Sequence, residues 1–244
     1  MRYIAKQNAF MIRIKLVLLS VFIFFSSTFL KAQGNLPDID NKFFHFGFTV
    51  GLSTMDFGIV PSLTDIDGNV YHADVSNLLP GFTVGIISDL RLNRYLSLRV
   101  NPVLNLDERE IVYTADNNVT SRSVKITSIP VCLPVYLKYS AERYRNFRPY
   151  LIGGGGLYYD LGRETDKPVL LKPFDIYAEF GVGCDIYFSF FRLAPELKFA
   201  LGTNNMLTPL AERNTDMIDD NDKLLTNALS KLTSRMITLS FNFE

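Results

Sequence analysis

At 244 residues the chain is long enough for one or two domains with a sizeable core. It carries 25 basic and 25 acidic side chains, for a formal net charge of zero, and 13% of its residues are aromatic although tryptophan is absent. No long run of one charge sign points to an electrostatic partner, and nucleic acid is excluded once the N-terminal bases are set aside.

The first element in chain order is a leader. Met11 to Gln33 reads MIRIKLVLLSVFIFFSSTFLKAQ. Arg13 and Lys15 make a positive n-region, Leu16–Phe25 an apolar h-region broken by Ser20, and Leu30-Lys31-Ala32 a cleavage site. A membrane anchor is the other reading, but the apolar run is roughly 15 residues where a spanning helix needs ~20. Residues 1–32 are therefore expected to be a cleaved signal peptide, 33–44 a periplasmic N-terminal segment, and 45–244 the folded domain. The five charges within residues 1–32 (Arg2, Lys6, Arg13, Lys15, Lys31) are all basic, so the mature chain is mildly acidic. No later stretch is apolar enough for a spanning helix, which leaves a soluble periplasmic protein or a barrel.

The period decides for the barrel. In His45–Met55, Phe46, Phe48, Val50 and Leu52 alternate with Gly47, Thr49, Gly51 and Ser53. The same two-residue period recurs around Phe82–Ile86, Leu96–Leu106, Ile129–Leu137, Tyr150–Asp160, Ile176–Asp185 and Leu193–Leu201. It closes the chain in RMITLSFNFE, 235–244, with Ile237, Leu239, Phe241 and Phe243 on one face. That makes eight strands, the smallest usual barrel. Short turns near Arg91–Arg94, Ala141–Phe147 and Ser189–Phe191 alternate with longer connections at Asp56–Pro80, Thr114–Thr120, Arg163–Pro173 and Gly202–Ser234, the pattern of periplasmic turns and external loops. Aromatics beside the short turns, among them Tyr95, Tyr139, Tyr144, Tyr150, Tyr187 and Phe191, read as an interfacial girdle.

Within the fifth strand stands the run Gly153-Gly154-Gly155-Gly156. No Lys-Ser or Lys-Thr follows it, so it is not a phosphate-binding loop. Glycines there are expected to let the wall bend and lumen side chains approach closely. The polar faces carry Arg99, Lys138, Glu179, Asp185, Glu196 and Lys198. Both signs are represented, and a filled eight-stranded lumen can hold them as mutually paired ions. After the acidic patch Asp216–Asp222, the stretch KLLTNALSKLTSR (223–235) places Leu225, Leu229 and Leu232 at helical spacing behind an N-cap at Asp222. A short amphipathic helix is expected there, packed on the rim or docking a partner.

Little points to chemistry. His45 precedes the first strand and reads as structural. His72, Asp74 and Ser76 cluster in the first long connection, which raises a lipid-modifying barrel enzyme as a remote alternative, although nearness in sequence does not make a triad. Cys132 and Cys184 fall on opposite faces, against a disulfide, and no Cys/His cluster fits zinc. Asp65-Ile66-Asp67-Gly68-Asn69 lacks the calcium-loop pattern and reads as a turn. The expectation is therefore no catalytic set, no metal and no cofactor.

Four stretches resemble the PorT family of outer-membrane barrels and its gliding-motility counterpart SprT: HFGFTVGLSTMDF at 45–57, IPVCLPVYLKY at 129–139, RPYLIGGGGLYYDL at 148–161, and LTSRMITLSFNFE at 232–244. The resemblance spans essentially the mature chain. It implies an integral outer-membrane protein needed for type IX secretion, in which cargo bearing a C-terminal signal crosses the outer membrane. It implies no catalytic residues. The reading is thus an all-β protein: an eight-stranded antiparallel transmembrane β-barrel of outer-membrane type, with a short amphipathic helix in the last long loop. Its expected partners are outer-membrane lipid and other type IX secretion components, with no nucleic acid and no small-molecule substrate. A generic small barrel for adhesion or envelope integrity is the alternative.

Overall fold

The computed structural model describes residues 35–36, 39–62, 65–66, 69–75, 79–115, 121–162, 169–210, 213, 226 and 229–244. The chain divides into two compact units, Met1–Asn35 and Leu36–Glu244, and every element below belongs to the second. A 3₁₀ turn, Ile39–Asn41, leads into twelve strands: β1 Phe44–Pro61, β2 Asp65–Ile66, β3 Asn69–Val75, β4 Pro80–Arg91, β5 Leu96–Val100, β6 Val103–Ala115, β7 Ser121–Ser128, β8 Pro130–Ser140, β9 Phe147–Asp160, β10 Phe174–Tyr187, β11 Arg192–Gly202 and β12 Leu229–Phe243. The leader lies outside the described residues.

Eight wall positions close into a ring. β1 pairs antiparallel with β4 on one side and with β12 on the other. Between them run β11, β10, β9, β8 and the β5–β6 strand. β5 and β6 are one wall strand interrupted at Asn101-Pro102. The pairs Ser88↔Val100 and Gly85↔Val103 keep one register against β4, as Val100↔Val135 and Val103↔Cys132 do against β8. Pro102 has no N–H to donate, so the ladder skips there while its carbonyl still accepts from Ile86 N at 3.0 Å. Pro134, across the seam, likewise accepts from Asn101 N at 3.3 Å. β7 and β8 are similarly one strand broken at Ile129, which makes eight.

Register partners followed once around the ring from Phe46 pass through Ser88, Val100, Val135, Gly155, Ala178, Leu201 and Arg235 and return to β1 at Asp56, ten residues along. Such a stagger goes with strands tilted by about 35–45° and an interior just wide enough for side chains to fill.

Alternation sorts the faces. Phe46, Ile86 and Leu151 point outward with 68%, 63% and 57% of their surface exposed. Such a continuous apolar band is stable only against lipid. The interior has two layers. Charged and polar side chains fill the half beside the short turns. An apolar cluster including Met55, Phe57, Ile111, Tyr113, Met206 and Leu232 fills the other half. Residues 169–172 and 206–208 strap that cluster: Met206 N donates to Leu232 O, Lys172 N to Met206 O and Thr208 N to Leu170 O.

Three expectations change. The helix expected over 223–235 does not extend to Leu229: Thr226 is helical, Leu229 and Leu232 lie on β12, and Leu225 lies outside the described residues. Three residues apart, both leucines are nevertheless buried, because a register shift at Val60/Pro61 leaves Ser230 unpaired and restores the inward face. A bulge thus reproduces helical spacing. Next, the connections Asp56–Pro80 and Gly202–Ser234 are partly strand, since β1 runs to Pro61, β3 lies within the first and β12 begins within the second. Above Leu52 the outward residues turn polar, as in Asp56 and Arg235, so the apolar-out period stops while the strand continues. Finally, Tyr150 and Tyr187 point into the lumen, 3% and 1% exposed, and do not belong to a girdle.

Candidate functional site

The six predicted lumen ions come from four wall strands, β5, β8, β10 and β11. The alternation that turns Leu98, Leu137, Phe180, Ile186 and Leu197 to lipid turns Arg99, Lys138, Glu179, Asp185, Glu196 and Lys198 inward, and all six are buried. Arg99 is the hub. Its Nε and Nη2 grip Asp89 Oδ1 and Oδ2 at 2.7 and 2.8 Å, its Nη1 donates to Glu196 Oε2 at 2.9 Å, and its Nη2 also reaches Glu244 Oε1 at 3.2 Å. Lys138 Nζ straddles the Asp185 carboxylate at 3.0 and 2.9 Å and lies 4.0 Å above the Tyr150 ring. Arg192 joins Asp185 to Glu244. Lys198 stands between Glu179 and Glu196, 3.9 and 3.7 Å from them, while the Tyr136 and Tyr150 hydroxyls donate to those two carboxylates.

Among the described residues, four cations therefore meet five carboxylates in one cross-lumen lattice. Removed from water, each charge is tolerable only because its neighbours replace its hydration. Asp89, Arg192 and Glu244 were missed in the sequence. They stand at strand ends, where too few alternating neighbours remain to set the parity, although extending the inward face of β4, β11 and β12 by one step reaches them.

Arg109 is a buried cation of the apolar layer. Arg109 donates to Tyr158 Oη at 2.7 Å and Ser234 Oγ at 3.1 Å, and its guanidinium sits 4.5 Å over the Phe57 ring.

The glycine run lies in β9, paired to β8 and β10 along its length. Gly156 makes room for the Tyr177 ring: a Cβ there would lie 2.6 Å from its hydroxyl and 2.8 Å from Pro134 Cα. At Gly154 a Cβ would strike the Val135 carbonyl, whereas at Gly153 it would meet nothing within 4 Å. Gly183 on β10 seats Tyr150 in the same way.

At the short-turn end the surface is rich in arginine: Arg91, Arg94, Arg143, Arg145 and Arg148. Arg94 pairs with Glu142 at 3.1 Å, and Glu142 also accepts from the Tyr95 hydroxyl at 3.0 Å, which raises that phenol above its ordinary value. The 3₁₀ turn lies against this rim. Tyr187 Oη donates to Asp40 Oδ1 at 2.6 Å, and Arg143 and Arg148 approach the same carboxylate at 3.2 and 3.3 Å. His45 Nε2 lies 2.7 Å from Ile39 O.

The remaining sequence candidates are placed as follows. His72 and Asp74 lie on β3, and Ser76 is outside the described residues. Asp65 and Asn69 fall on paired strands β2 and β3. Cys132 and Cys184 are free.

The sequence of residues 31–208 matches the family model described as outer membrane protein beta-barrel domain. The chain belongs to that family. It is therefore an integral barrel of the outer membrane, with lipid around the apolar band and the charged lattice inside. Two solved barrels are similar in fold. Neisserial surface protein A shares 11% identity over 82% of this chain and 98% of its own, with a TM-score of 0.41. The outer membrane protein OprG from Pseudomonas aeruginosa shares 10% over 81% and 92%, with a TM-score of 0.42. No curated protein matches the chain.

Proposed function

We propose that this barrel is a non-catalytic accessory component of type IX protein secretion, acting on other secretion components through its loops and rims. The observation that carries the reading is the filled lumen. An ion lattice occupies one half and an apolar cluster the other, so the interior offers no route for a polypeptide. What is left to act is surface. The likeness of residues 45–57, 129–139, 148–161 and 232–244 to PorT and SprT supports secretion as the process served.

The test is a clean deletion, with a signal-bearing cargo followed by immunoblot in periplasm, cell surface and medium. Unprocessed cargo trapped in the periplasm, and returned to the surface by complementation, is the expected result. Normal export would overturn the role and leave a passive barrel for adhesion or envelope integrity. Altered lipid composition on His72→Ala or Ser76→Ala, with the barrel still folded, would instead favour an enzyme.

A further inference from the structure

The periplasmic rim holds a carboxylate. Asp40 is not part of the barrel wall, yet side chains from the β8–β9 turn, the start of β9 and the end of β10 converge on it: Arg143 and Arg148 flank its oxygens and Tyr187 donates from below. The receptor is preorganised by the turns themselves. Arg148 Nε donates to Ala141 O at 2.9 Å and its Nη2 to Arg94 O, so backbone carbonyls outside the segment fix where the guanidinium points. Arg143 Nε is held by Arg145 O at 2.7 Å, and its guanidinium lies 3.6 Å from the centre of the Tyr187 ring. Planar, pre-aimed guanidinium pairs of this kind recognise carboxylates.

The occupant is recognised as polypeptide. Arg143 Nη1 donates to Leu36 O at 3.2 Å, His45 pairs with Ile39 O, and Arg91 Nη1 reaches Asn41 Oδ1 at 3.4 Å. Carboxylate, two backbone carbonyls and a side-chain amide are thus read along one short segment, which a lipid phosphate would not satisfy. Behind it a small polar cavity of about 20 Å³, lined by Asp40, Arg91, Arg94 and Arg148 at the rim, reaches Asp89 and Lys138 of the lumen lattice.

We propose that the arginine-rich periplasmic turns are a docking site for an acidic polypeptide segment of a periplasmic partner, and that this chain's own Leu36 and Ile39–Asn41 occupy the site in cis. A tethered occupant acts at an effective concentration of order millimolar, so a partner segment is held off until it outcompetes Asp40 or the segment is drawn away. The assignment stands apart from the secretion role, and either can fail alone.

The test uses the complete chain refolded in detergent and a fluorescent heptapeptide of residues 36–42 as probe, with binding read by anisotropy. Asp40→Ala is expected to bind the probe at least tenfold more tightly than the parent. Adding Arg148→Ala should abolish that gain, and a probe with Asn in place of the residue-40 aspartate should not bind. An unrelated acidic peptide of the same length should compete, and a neutral one should not. Heat-modifiable migration on gels establishes that each variant is folded, and Asp40→Asn serves should the alanine variant misfold. Equal binding by parent and variant would overturn the proposal. So would binding indifferent to Arg148, or a variant that takes phosphatidylglycerol vesicles as readily as peptide.

Discussion

Arg99 shows what one inward residue does in a lumen this narrow. Fully buried, it is the shared partner of Asp89, Glu196 and Glu244. Arg99→Met would nearly keep the volume but take the shared cation from three buried carboxylates, leaving Asp89 only Lys138 at 3.9 Å, with an expected loss of about 3–5 kcal/mol. Urea unfolding in lipid vesicles, followed by far-ultraviolet circular dichroism because the chain has no tryptophan, measures this. A variant within about 0.5 kcal/mol of the parent would mean the lattice is not holding the barrel. The glycine run makes a paired prediction. Gly156→Val would drive a side chain into Tyr177 and the β8 backbone and should lose about 1–3 kcal/mol. Gly153→Val, three residues away on the open outer face, should stay within about 0.5 kcal/mol in the same assay. Four identical residues thus differ in role because alternate ones face opposite sides of one wall.

At the scale of elements, closure rests on β12, which pairs with β1 over most of its length and with β11 from Leu193↔Phe243 to Leu201↔Arg235. Its outward Leu239 faces Leu52 and Leu197 in adjoining strands within the apolar band. Leu239→Arg should therefore lower stability by about 1–4 kcal/mol, since a cation facing lipid costs more the deeper it sits in the apolar band. Lys231→Leu, on the exposed polar part of the same strand, should change little. Folding yield and urea midpoints in vesicles would compare the two. The strands inside the apolar band were legible because lipid outside and polar lumen inside enforce a strict period of two. The upper part of β12 was not. There the outside is polar, the inside apolar, and a bulge at Ser230 breaks the parity, so Leu229 and Leu232 mimic a helical stripe.

For the whole molecule, the decisive property is that both layers of the interior are filled. The expected result in planar bilayers is no steady ohmic conductance, since ions would have to displace the Arg99–Asp89–Glu196 lattice and then cross the cluster around Phe57, Met206 and Leu232. A stable single-channel current that scales with salt would contradict a closed barrel. Much of the architecture follows from sequence alone: the alternation dictates an outward apolar band, and an apolar outside with charged partners inside is stable only as a ring closed in a bilayer. Composition and period accordingly sufficed for strand number, for the membrane and for the six lumen charges Arg99, Lys138, Glu179, Asp185, Glu196 and Lys198. Which charges pair was decided only in three dimensions, because Arg99 meets Glu196 and Glu244 across the lumen from strands far apart in the chain. The convergence of Asp40, Arg143, Arg148 and Tyr187 was equally invisible, since it depends on ring closure, which sets the segment before β1 at the same rim as the β8–β9 turn and the end of β10. Periodicity reports which face a side chain takes. It carries no information about what stands opposite, and that is set by register and closure.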